Sequence, residues 1–196
     1  VRRVVRVFLV DDDAIVRHAL RELIECDADI EVVGEAADVG EALSRIPPCR
    51  PDVVLLDDRL PNGGGFGLCR ELRSLVPGLH CIILTSFGSS SDLFDAMRAG
   101  ADGCIVRNAK GSEVVAGIKR AAAGDLLYDT GAATAYLADR ARANLLDAAS
   151  LTELEGELLG LVLRGHTDGQ IASRMRIDES AFRACLWGLV SKARDA

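Results

Sequence analysis

The stretch VFLVDDDAIV, Val7–Val16, decides how the chain is read. Four consecutive apolar residues run into three carboxylates, Asp11, Asp12 and Asp13, and apolar residues then resume at helical spacing: Ile15, Val16, Ala19, Leu20, Leu23 and Ile24. A short, continuously apolar run is the pattern of a strand buried on both faces, and the segment after it has the period of an amphipathic helix. Such a pair predicts a parallel strand-helix unit. The carboxylates at the strand's end repel one another, so a cation must neutralise them if they stay charged together.

Working outward, the same alternation recurs through VVRVFLV, EVV, DVVLLD, CIILT and GCIVR, each followed by a segment of helical period. Five such units predict a doubly wound parallel-sheet α/β domain, of (βα)5 type, over residues 4–124. Turn signals agree: Pro47 and Pro48 precede the third strand, Pro61 through Gly65 follow it, and Gly100 closes the fourth helix. The fifth helix is expected from about Ser112 to near Gly124. Residues 125–150, rich in Ala, Arg and Asp, read as a linker containing one helix.

An all-α unit is predicted over 151–196. Thr152 with Glu155, and Thr167 with Gln170, have the spacing of two capping boxes, and Gly165 ends the first of these helices. After a turn at Arg176–Ile177, Asp178 caps a third helix, apolar at Phe182, Cys185, Leu186, Leu189 and Val190. Helix, tight turn, helix at this length predicts a helix-turn-helix.

Composition narrows the classes of function. Of the 196 residues 49% are hydrophobic, which supports packed cores, and the net charge of −7 gives no general attraction to nucleic acid or anionic membrane. Binding to DNA therefore requires a local basic patch. The six cysteines, Cys26, Cys49, Cys69, Cys81, Cys104 and Cys185, form no C-x-x-C pair, which fits reduced thiols and argues against zinc. No apolar stretch approaches the ~20 residues that span a bilayer. A cytoplasmic protein is expected, without a membrane partner.

In an open parallel sheet, residues at the carboxyl ends of different strands meet in one crevice. Asp11 and Asp12 end the first strand, Asp57 the third, Thr85 the fourth and Arg107 the fifth. Three carboxylates, a hydroxyl and a cation are thus expected together, an oxygen-rich set that suits Mg²⁺. With the metal present, a carboxylate can attack a phosphoryl group while hydroxyl and cation stabilise charge on its oxygens. Asp57 is central enough to be that nucleophile. Asp13 and Asp58 adjoin the cluster but are expected at the surface or as helix caps. A dinucleotide site would need a glycine-rich turn after the first strand. A phosphatase of the haloacid dehalogenase type would need Asp where Arg59 stands. An enzyme acting on an external substrate is not expected.

The segments FLVDDDAIVR, DVVLLDDRLPNGGG, CIILTSFGSS and GCIVRNAKG, followed by LTELEGELLGLVLRGHTDGQIASRM, resemble bacterial two-component response regulators of the NarL/FixJ type with a LuxR-type output domain. The likeness is greatest to the DevR/DosR group and covers nearly the whole length. It implies a flavodoxin-like phospho-acceptor receiver and a helix-turn-helix output domain shortened at its C-terminal end. It further implies that Asp57 accepts phosphate from a sensor histidine kinase, with Mg²⁺ held by Asp12, Asp57 and the backbone carbonyl of Arg59, and by Asp11 through water. Thr85 would hydrogen-bond the phosphoryl oxygens, and the output domain would bind DNA as a dimer.

Several positions depart from that family's pattern. Arg107 replaces the usual lysine, a wider planar fork in place of a compact ammonium, while Lys110 belongs to the following turn. Cys104 stands where the family carries a switching aromatic; Phe87, near Thr85, is aromatic and reads as a packing residue. On the last helix Ser180, Arg183, Ala184, Trp187 and Ser191 are expected to face outward, with Arg183 the strongest groove reader. Arg174, Arg176, Ser180, Arg183 and Lys192 form the expected DNA-binding set. Two readings follow: a regulator that controls transcription by binding DNA, or an atypical regulator working through protein contacts, such as heterodimerisation with a related regulator.

Overall fold

The structure, a computed structural model, describes residues 4–61, 63–86, 90–146 and 150–195. Phe87 lies outside the described residues. The chain divides into two compact units, Val1–Leu127 and Tyr128–Ala196.

In the first unit, strands β1 (Val5–Val10), β2 (Ile30–Ala36), β3 (Val53–Asp57), β4 (His80–Thr85) and β5 (Gly103–Val106) alternate with helices. The helices are α1 (Ala14–Glu25), α2 (Val39–Cys49), α3 (Gly64–Leu75), α4 (Ser90–Arg98) and α5 (Gly111–Ala122). The strands pair in parallel in the order β2-β1-β3-β4-β5, the flavodoxin-like arrangement. Side chains alternate across the sheet, so Val7, Leu9, Val53, Leu55, Ile82 and Leu84 join Ile24, Val114 and Ile118 in one cluster. Phe8, Val10, Val54, Leu56 and Ile83 are buried on the other face. All five residues of β3 are buried, which is why its first four, VVLL, are apolar without interruption.

Caps and turns explain the boundaries. Asp13, extended at φ −86° and ψ 112°, accepts hydrogen bonds from the N–H groups of Ile15 and Val16, so it starts α1 as expected. Gly100, at φ +82°, follows α4. One turn signal reads differently: Pro47 and Pro48 lie inside the last turn of α2, which ends at Arg50 in the left-handed region, φ 46°. The two prolines forfeit helical N–H donors at a helix end, where the loss ends the helix instead of kinking its middle.

The second unit holds α6 (Thr130–Arg142), α7 (Glu153–Leu163), α8 (Asp168–Met175) and α9 (Glu179–Asp195). The segment expected to be a linker therefore supplies a core helix, because α6 buries Ala133, Tyr136 and Leu137. The Tyr136 hydroxyl donates to the carbonyl of Ala193, 3.4 Å away on α9. Both capping boxes form as the spacing predicts, Thr152 with Glu155 and Thr167 with Gln170. Arg176, at φ 56°, turns the chain from α8 into α9, and Asp178 accepts from the N–H of Ala181. Phe182, Leu186, Leu189, Val190 and Ala193 form the buried side of α9.

Glu155 also links α7 to α9 by accepting from Lys192 Nζ at 2.7 Å. That ammonium, outweighing the opposing effect of burial, holds the Glu155 carboxyl below its ordinary range. A lowered folded-state pKa stabilises the unit above the unfolded value, near 4.3 for glutamate, and the contribution is lost as the pH falls through the lower folded value. Glu155→Gln is expected to cost about 1 kcal/mol at neutral pH and to flatten the acid limb of stability. Fluorescence of the single tryptophan, Trp187, during denaturant unfolding across a pH series checks this. An unchanged acid limb in the variant would remove the pair as its origin.

Candidate functional site

The two central strands, β1 and β3, deliver their terminal carboxylates to the point where strand order reverses. Asp11, just past β1, is 1% exposed and Asp57, last in β3, is 2% exposed, while Asp12 is open to solvent. One carboxylate oxygen from each of the three lies within 4.8 Å of the other two. Asp11 is fixed on both sides: its Oδ1 accepts from the N–H of Asp13 at 2.9 Å, and its backbone carbonyl accepts from Arg17 Nη1 at 2.6 Å. Burial pushes the Asp11 carboxyl above its ordinary range; the Asp13 N–H and Arg107 oppose this, while the charges of Asp57 and Asp12 add to it.

β5 supplies the cation. The N–H of Arg107 donates to the carbonyl of Thr85 at 2.8 Å, extending the β4–β5 ladder beyond Val106. Its Nη2 lies 3.0 Å from Asp11 Oδ2 and contacts Asp57 Oδ1. Both oxygens are buried, and the guanidinium is the cation that reaches them. Burial disfavours the charged guanidinium, yet the contact with Asp57 and the charges of Asp11, Asp57 and Asp58 raise its pKa. Lys110 is the N-cap of α5, outside this group.

Thr85, 1% exposed at the end of β4, donates from Oγ1 to Asp92 Oδ2 on α4 at 3.4 Å. Asp58 departs from expectation: instead of a surface or cap position, its side chain is largely buried beside Asp57. The N–H of Gly65 donates to the Asp58 carbonyl at 3.1 Å, and that tight turn keeps the residue in the crevice. Burial and the neighbouring Asp57 push the Asp58 carboxyl up, against the pull of Thr85 and Arg59. Arg59 turns its side chain outward and donates from Nη2 to Ser86 Oγ at 2.8 Å. Cys104 is half-buried; burial, with the charges of Asp92 and Asp58, pushes its thiol up to about 12, so it stays neutral.

Sequence reasoning missed Asp58 and Asp92. Strand alternation does not extend into the turn after β3, and nothing in SSSDLF marks Asp92 as facing Thr85.

In the second unit Arg174, Arg176, Ser180 and Arg183 are exposed, with Ala184 and Ser191 also outward, while Trp187 is half-buried. Lys192 separates from this set. Its ammonium donates to Glu155 and, at 3.0 Å, to the carbonyl of Ser150, so its charge is spent inside the unit.

An acidic crevice at the switch point of a 2-1-3-4-5 sheet, followed in sequence by a helix-turn-helix unit, defines a receiver coupled to an output domain. The profile of the response regulator receiver domain matches residues 7–119, and the chain belongs to the response regulator family, of the DevR/DosR and LuxR type. It is 45% identical over 190 residues to the DNA-binding transcriptional activator DevR/DosR of Mycobacterium tuberculosis (strain ATCC 25618 / H37Rv), covering 96% of this chain and 88% of that protein. Among solved structures it is similar to a LuxR-family two-component response regulator from Aurantimonas sp. SI85-9A1, with 33% identity and a TM-score of 0.62 over 70% of this chain and 99% of that one. It is also similar to ChrA, the response regulator of a heme-sensing two-component system: 28% identity, TM-score 0.56, 96% of this chain and 90% of that one. Among the described residues no helix is long and apolar enough to cross a membrane.

Proposed function

We propose that this chain is a phosphorylation-controlled transcription regulator, with Asp57 accepting a phosphoryl group from a sensor histidine kinase and the α8–α9 unit binding DNA. The observation that carries this reading is the grouping of the Asp11, Asp12 and Asp57 carboxylates within 4.8 Å at the end of the central strands. A buried cluster of like charge is costly unless a cation shares it. The buried oxygens Asp11 Oδ2 and Asp57 Oδ1, which already face a cation in Arg107, fit a hard divalent ion such as Mg²⁺, with Asp12 and the Arg59 backbone carbonyl completing the protein's share of ligands. When bound, Mg²⁺ supplies positive charge for the transferring phosphoryl oxygens.

The chain's own residues divide the remaining work. An Asp57 carboxylate oxygen attacks phosphorus in line with the bond to the donor nitrogen; that bond breaks, and the electron pair leaves with the imidazole. Burial fixes the orientation of Asp57 and limits water around it. The hydroxyl of Thr85 donates to a phosphoryl oxygen, and Arg107 provides side-chain charge from the neighbouring strand. Phosphorylation adds nearly two negative charges at the foot of α4, a local change able to bias two packings of that helix.

For DNA, Arg174, Arg176 and Arg183 supply phosphate or base contacts and Ser180 a polar contact, as a homodimer or as a heterodimer with a related regulator in the cytoplasm. The similarity to a transcriptional activator supports activation as the outcome. Titration of genomic fragments across a salt series, with and without a small phosphodonor and Mg²⁺, tests the reading. Binding that weakens steeply with salt and strengthens on phosphorylation is expected. Absence of affinity at low salt in both states would remove DNA from the proposal.

A further inference from the structure

We infer that Arg107 is a tethered cation that competes with a divalent metal for the carboxylates of Asp11 and Asp57. The inference rests on the reading of the crevice as a metal site and adds what this chain's arginine does there.

The competition follows from which oxygens are spoken for. Asp11 Oδ1 is committed to the N–H of Asp13 at 2.9 Å, so Oδ2 is the oxygen that remains for a cation. That same Oδ2 lies 3.0 Å from Arg107 Nη2, which also contacts Asp57 Oδ1. The two carboxylates are almost wholly buried, so a metal reaches these oxygens only from the crevice side, where the guanidinium stands. A divalent ion sharing both oxygens with Arg107 would bring two cations within a few ångströms in a poorly solvated place, where repulsion is strong. Arg107 must withdraw for the metal to enter.

The arginine is able to do so. Its side chain is 25% exposed, which leaves a path toward solvent, and its Nε is buried without an acceptor among the described residues, so no hydrogen bond at that atom to any of them opposes the move. Asp12, exposed at the rim, is the first carboxylate an incoming ion meets. A withdrawn guanidinium is then available to a phosphoryl oxygen on Asp57, for which a planar fork of donors is well suited. In the metal-free protein the same side chain neutralises the cluster and keeps it folded. Position 107 thus sets the divalent-ion concentration at which the site becomes competent.

The test uses the full chain, metal-free and without phosphodonor, with Mn²⁺ as probe and free Mn²⁺ read by electron paramagnetic resonance. Arg107→Gln is expected to bind Mn²⁺ roughly tenfold or more tightly than wild type, since a unit charge beside the ion has gone. Asp12→Asn is expected to weaken binding, which places the ion in the crevice. In chelator Arg107→Gln melts lower than wild type, and Mg²⁺ raises its melting temperature by the larger increment. Should that variant not fold without metal, a measurement on wild type decides: modification of Arg107 by phenylglyoxal, followed by mass spectrometry, is expected to rise at saturating Mg²⁺. Equal Mn²⁺ affinity in folded wild type and Arg107→Gln, or labelling of Arg107 indifferent to Mg²⁺, overturns the competition. Absence of Mn²⁺ binding in both proteins overturns the metal reading itself.

Discussion

Asp57→Asn is expected to abolish the gain of a phosphoryl group when the protein is incubated with acetyl phosphate and Mg²⁺ and followed by intact mass. The substitution is nearly isosteric at a fully buried strand end, so β3 keeps its pairing with Leu84 and its place in the sheet. On the proposed reading the variant loses the nucleophile: a neutral amide oxygen does not form an acyl phosphate, and among the described residues no exposed carboxylate shares the setting of Asp57 between a cation and two further carboxylates. The variant also lowers the charge that Arg107 has to neutralise, and Asp11 remains as its partner. Folding should therefore survive, which is checked by an unchanged unfolding midpoint. A mass gain equal to that of wild type would place the modification elsewhere and end the assignment of Asp57.

Gly65→Ala has the second large effect. A Cβ built on Gly65 would sit 2.0 Å from the carbonyl oxygen of Asp57 and 2.8 Å from its carbon. These are backbone atoms of the central strand, held by pairing on both sides, so they cannot give way as a flexible side chain would. The start of α3 must move off the end of β3, taking with it the turn that keeps Asp58 in the crevice. A cost of about 3 kcal/mol is expected, at the upper end of overpacking effects. Gly67→Ala, two residues on, meets nothing within 4 Å and should gain up to about 1 kcal/mol from helix propensity. Hydrogen exchange at the β3 amides reads both changes locally. Equal protection in the two variants would show that the close approach of α3 to β3 carries no strain.

The fold was legible because the signals were local. A five-strand parallel sheet announces itself in strands that are apolar on both faces, and β3 is buried at all five positions as DVVLLD suggests. Both capping boxes, the Asp13 cap and the glycine after α4 were equally readable, since each is a contact between residues a few positions apart. The misreadings have a physical pattern too. Pro47 and Pro48 looked like a turn because proline is unfavourable inside helices, but here they occupy the last turn of α2 and help to end it. The segment that holds α6 looked like a linker with one helix because small alanines carry little amphipathic signal, yet Tyr136 and Leu137 give that helix a place in the second core.

Sequence by itself determined the membership of the crevice: strand ends meet at the switch point of such a sheet, so Asp11, Asp12, Asp57, Thr85 and Arg107 had to come together once the order of elements was known. It also determined the helix-turn-helix and most of the exposed side of α9, because helical period sorts those residues; Trp187, expected outward, is half-buried. Only tertiary structure decided which atoms pair. Nη2 of Arg107 on Oδ2 of Asp11, Asp58 turned into the crevice, Thr85 joined to Asp92, and Lys192 withdrawn to Glu155 are all choices among several possible partners. Periodicity assigns a side chain to a face. Which of several opposite charges on that face it meets depends on ångström-scale distances that only the packed chain fixes.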